Sequence, residues 1–65
     1  MADVCKPLQD LVDEIEKQIT FLESILAELN PRSRRSAEKE IKRLGGRLQA
    51  AQKKLAKCRQ QHPSQ

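Results

Sequence analysis

Cys5 and Cys58 are the only thiols in this 65-residue chain, and they stand near its two ends. A thiol can ligate zinc, attack a substrate as a thiolate, or join another thiol. Zinc requires further Cys or His at ligand spacing, and His62 is the one histidine. It lies in a segment expected to fray, so it makes a poor general base for a cysteine nucleophile. A disulfide or a pair of buried thiols remains. A bridge would close a loop of about 54 residues, worth roughly 4 kcal/mol in the chain-entropy model.

A second chemical feature is the run NPRSRRS, Asn30 to Ser36. Arg32, Arg34 and Arg35 offer guanidinium forks suited to carboxylate or phosphate. Arg34-Arg35-Ser36 resembles the target pattern of basophilic kinases, and a phosphate on Ser36 near a helix start would be electrostatically favoured. Arg32-Ser33-Arg34-Arg35 resembles the Arg-x-Arg-Arg pattern cut by furin-like convertases. Cleavage there would leave two segments joined by the bridge. The structural reading of the same run is a bend, with Asn30 or Ser33 as an N-cap and Pro31 in a first helical turn.

The elements that position these groups follow from two hydrophobic patterns. Leu8, Val12, Ile15, Ile19, Leu22, Leu26 and Leu29 recur in steps of 4 and 3, the spacing of a coiled-coil seam. Asn30-Pro31 interrupts the run, because a residue before proline is pushed out of helical conformation. The same steps resume at Ala37, Ile41, Leu44, Leu48, Ala51, Leu55 and Cys58. Two seams of equal length joined by a short link predict an all-α fold, a two-helix antiparallel coiled-coil hairpin. The expected helices run from about 7 to 29 and from about 33 to 60, with a turn at 30–33. The chain is expected to be a single domain over 1–65, with a lead-in at 1–6 and a frayed tail at 61–65.

In an antiparallel pair the numbers of facing residues sum to a constant. A sum of 63 pairs Leu8 with Leu55, Val12 with Ala51, Ile19 with Leu44 and Cys5 with Cys58. A sum of 70 centres the turn at Arg35 and leaves the cysteines out of step, so 63 is preferred. Gly45-Gly46 falls inside the second seam, where each glycine costs roughly 1 kcal/mol against alanine. The heptad phase continues across the pair, which favours one helix over a break into two. Close approach of another helix is one reason for glycines there, and local weakness without a role is the other.

Composition narrows the function. Hydrophobic residues make up 37% and charged residues 34%, and Phe21 is the sole aromatic. The stacking platforms that hold single-stranded nucleic acid are therefore absent. No apolar run is long enough to span a membrane. The opening MADVCKPLQD lacks the basic start and apolar stretch of a signal peptide. That favours the cytoplasm, whereas a Cys5–Cys58 bridge would favour an oxidising compartment. No phosphate-binding loop, metal-ligand cluster or nucleophile–base pair is present. The expectation is a non-enzymatic protein, with no cofactor, no metal and no small-molecule substrate.

Charge is split along the chain. Residues 1–30 carry a net −5 and residues 31–65 a net +9. Arg32, Arg34 and Arg35 at the tip, with Lys42, Arg43 and Arg47 on the second helix, could neutralise phosphates. They encircle that helix rather than forming one face, so nucleic-acid binding is the alternative reading. The leading one is contact with a protein partner or a second copy, including pairing of hairpins into a four-helix bundle. Leu11, Gln18 and Ile25 flank the first seam on one side, widening its apolar stripe beyond what one neighbouring helix covers. Phe21 is expected to point toward the back of that helix.

Overall fold

The computed structural model describes residues 3–63. The chain is an antiparallel hairpin of two helices, α1 (Lys6–Ile25) and α2 (Pro31–Gln61), with a single 3₁₀ turn at Leu26–Glu28 between them. Of the lead-in and tail expected at 1–6 and 61–65, residues 1, 2, 64 and 65 lie outside the described residues. The lead-in is shorter than expected, since Lys6 is already helical, and Gln61 still belongs to α2.

The start of α1 is held locally. The Asp3 carboxylate accepts the Cys5 N–H at 2.9 Å, and the Cys5 carbonyl accepts the N–H groups of Leu8 and Gln9 at 3.1 and 3.0 Å. Pro7 fits the first turn, where a missing N–H costs nothing. Side chains four apart then pair along the exposed face, Lys6 with Asp10 at 3.2 Å and Gln9 with Asp13 at 2.9 Å.

The expected boundaries need correction at the turn. α1 loses its α geometry after Ile25, four residues before Leu29, and α2 begins at Pro31 rather than 33. The end of α1 tightens into the 3₁₀ turn, closed by Leu29 N–H donating to the Leu26 carbonyl at 3.2 Å. Leu29 and Asn30 are extended, with ψ of 148° and 166°, as proline demands of the residue before it. Pro31 itself starts α2, and the Asn30 side chain accepts the Ser33 N–H at 2.8 Å. The link between the helical segments is thus two residues, and Asn30 supplies the N-cap. Asn30→Ala is expected to cost about 1 kcal/mol, read as a lower thermal midpoint by circular dichroism. An unchanged midpoint would show that the cap is dispensable.

The core lies along the seam between the helices. Leu44, at 2% exposure, is its most buried residue, with Cys5, Val12, Ile15, Ala51 and Leu55 beside it. Leu8, Ile19, Leu22, Leu48 and Cys58 pack against this cluster from partly buried positions. No polar side chain among the described residues is buried. Apolar burial is therefore what packs the seam between the two helices.

α2 continues without a break through Gly45 and Gly46. A Cβ built on either glycine meets nothing within 4 Å, so no part of this chain approaches them closely. Neither has positive φ. Alanine at both positions is expected to stabilise the fold by roughly 1 kcal/mol per site through helix propensity. Denaturant melts would show this as a higher midpoint, and a lower one would reveal a packing role.

Candidate functional site

The Cys5 and Cys58 sulfurs lie 2.16 Å apart, with a Cα–Cα distance of 5.9 Å. This pair fixes the sum of 63 and closes the end of the hairpin opposite the turn. Beside it, the Arg59 guanidinium donates to the Gln9 side-chain carbonyl, linking the first turn of α1 to the last of α2. Cys5 is buried and Cys58 half-buried.

One edge of the hairpin carries the flanking residues singled out from the seam. Leu11 is 41% exposed and lines a surface depression with Ile15, Arg47, Ala50, Ala51 and Lys54. Gln18 is exposed and lines a second depression with Phe21, Leu22, Glu40 and Leu44. Phe21, at 62% exposure, is the most exposed large apolar side chain among the described residues. It lines the second depression and, with the exposed Asp13, Glu16, Lys17 and Thr20, a shallow one on the outer surface of α1. Ile25 is half-buried, because α1 ends there and the 3₁₀ turn follows directly. Leu11, Gln18 and Phe21 are therefore exposed and Ile25 is half-buried.

At the tip, the three arginines divide. Arg34 turns back on α1, its Nε 3.3 Å from the Leu26 carbonyl and its Nη2 3.4 Å from that of Leu29. It adds a donor to the Leu26 carbonyl, which already accepts the Leu29 N–H, and supplies one to the Leu29 carbonyl where the helical segment ends. Arg32, Arg35 and Ser36 are exposed and share a shallow concavity with Pro31. All of Arg32–Ser36 is helical. Proteolytic nicking concentrates at flexible loop tips, so cleavage after Arg35 requires the first turns of α2 to unwind. Ser36 lies beyond the first turn, where the helix N-terminus favours a phosphate less.

Further along α2, Lys42, Arg43 and Arg47 are exposed. Arg43 Nε donates to Glu40 at 3.2 Å. That hydrogen bond lowers the Glu40 pKa below the usual carboxylate range and raises that of Arg43. The lowered value means that any stabilisation from Glu40 is present at neutral pH and lost as pH falls through it. Because the pair is solvent-exposed, its contribution is small. No group of three His, Cys, Asp or Glu side chains among the described residues could hold a metal ion. No helix among them is long and apolar enough to cross a membrane.

Sequence reasoning missed the Arg34 clasp and the Gln9–Arg59 contact. The second was recoverable, since both residues flank the seam on the same side once the register is fixed. The first depends on where α1 ends, which the periodicity overruns. The fold and site define a disulfide-closed helical hairpin with one apolar edge, and no protein-family model, curated protein or solved structure matches the chain.

Proposed function

We propose that this protein is a non-enzymatic interaction module that docks another polypeptide along the edge formed by Leu11, Gln18, Phe21 and Ile25. The observation that carries this reading is Phe21. A lone aromatic left 62% exposed, on the same helix as the exposed Leu11, is the kind of anchor that dominates protein interfaces. The hairpin supports it by rigidity. The bridge at one end and the Asn30 cap at the other hold the edge straight, so little ordering cost remains at docking.

The alternative is binding to nucleic acid through α2. The +9 charge of residues 31–65 favours it. Two observations weaken it: Arg34 is engaged with backbone carbonyls and Arg43 with Glu40. A photo-reactive amino acid at Gln18, irradiated in a cell extract, separates the two readings. A polypeptide adduct that disappears on Leu11→Lys supports docking. Nucleic acid in the adduct, or no adduct, removes it.

A further inference from the structure

We infer that the occupant of this edge is a second copy of the same chain, giving a two-fold four-helix bundle in which α1 of each copy lies on α2 of the other. The inference rests on the docking reading above and names its partner. Area is the first argument. The molecule measures 48 × 18 × 11 Å, so its broad side offers roughly 800 Å², the area each partner buries in a standard interface. Charge is the second. The edge of α1 carries Glu14 with Leu11, Gln18 and Phe21, and Lys17 at its margin, whereas the edge of α2 carries Arg43, Arg47 and Lys54 against the one carboxylate of Glu40, so α2 keeps a basic excess. An isologous contact has two ways to stack these layers. A two-fold axis across the helices sets α1 on α1 and the basic edge of α2 on itself, a like-charge repulsion. An axis parallel to the helices sets the acidic α1 on the basic α2, with all neighbouring helices antiparallel.

The register then specifies the contacts. Residues level across the hairpin sum to 63, and an axis parallel to the helices preserves height. Leu11 of one copy comes over the depression lined by Ala50, Ala51 and Lys54 of the other, where the small alanines admit it. Glu14 comes level with the stretch between Arg47 and Ala50. Phe21 comes level with Lys42 and Arg43, whose guanidinium can stack on the ring.

Sedimentation equilibrium of the oxidised full chain at tens of micromolar tests this. The expected mass is twice that of the 7.4 kDa chain. Phe21→Glu is expected to weaken dimerisation at least tenfold at unchanged helicity, since the residue lies outside the core. Arg47→Glu should weaken it, and Glu14→Arg combined with Arg47→Glu should restore it. Non-cysteine spin labels at Arg35 should lie together at one end of the dimer. A dimer whose labels are separated by the 48 Å length of the molecule, or one indifferent to Phe21→Glu, overturns the arrangement. A monomer at every concentration overturns self-pairing, and a different protein captured from Gln18 would then leave the docking reading standing alone.

Discussion

Reduction of the Cys5–Cys58 bridge is expected to lower the thermal midpoint by about 15–30 °C, the equivalent of roughly 4 kcal/mol in a domain of this size. The sequence separation of 53 makes the closed loop nearly the whole chain. In the unfolded state the bridge removes much of the freedom that folding would otherwise have to remove. In the folded state the two Cα atoms already sit 5.9 Å apart, so the bond holds a geometry that the register supplies. Circular dichroism melts with and without reductant measure the effect. Cys58→Ala should reproduce it, because it deletes the bridge at a half-buried position. The same midpoint in both redox states would mean that helix packing alone sustains the hairpin.

Leu44→Ala is expected to cost about 2–5 kcal/mol. Leu44 is the most buried side chain among the described residues, at 2% exposure, and belongs to the apolar cluster between the helices. A core in a chain under about 70 residues rarely supplies more than roughly 3–5 kcal/mol. The variant should therefore be unfolded when reduced and only marginally folded when bridged. Urea titration of the oxidised protein reads this as a sharp fall in midpoint at constant slope. Leu11→Ala, at an exposed site, should move the same midpoint by no more than about 0.5 kcal/mol. Equal losses at the two positions would show that the core is not where the burial pattern places it.

The architecture was largely legible because its signal is one-dimensional. Fourteen seam positions in alternating steps of 4 and 3 dictate two helices. The positions of Cys5 and Cys58 then select the register over its rival. Continuity through Gly45-Gly46 was legible for the same reason, since the phase on either side agrees. The helix ends were not. Leu26 and Leu29 keep seam spacing although the backbone has already left the α-helix, because a 3₁₀ turn and an extended residue can still direct them inward. Pro31 fell within the turn expected at 30–33, although it was also read as suited to a first helical turn, and that is the place it takes. Arg34 was read as part of a charged tip. Its role depends on the Leu26 and Leu29 carbonyls, whose positions follow from the missed end of α1.

The disulfide has a mechanical consequence. Chain entering at Cys5 and chain leaving at Cys58 meet at one end of the molecule, 5.9 Å apart at their Cα atoms. Tension pulled through the backbone on either side crosses the sulfur–sulfur bond directly. The 52 residues between the cysteines, with α1, most of α2 and the docking edge, form a closed side loop that bears none of the load. A thiol reductant changes the force path itself. The same tension would then fall on the seam at its Leu8–Leu55 end and peel the helices apart one contact at a time.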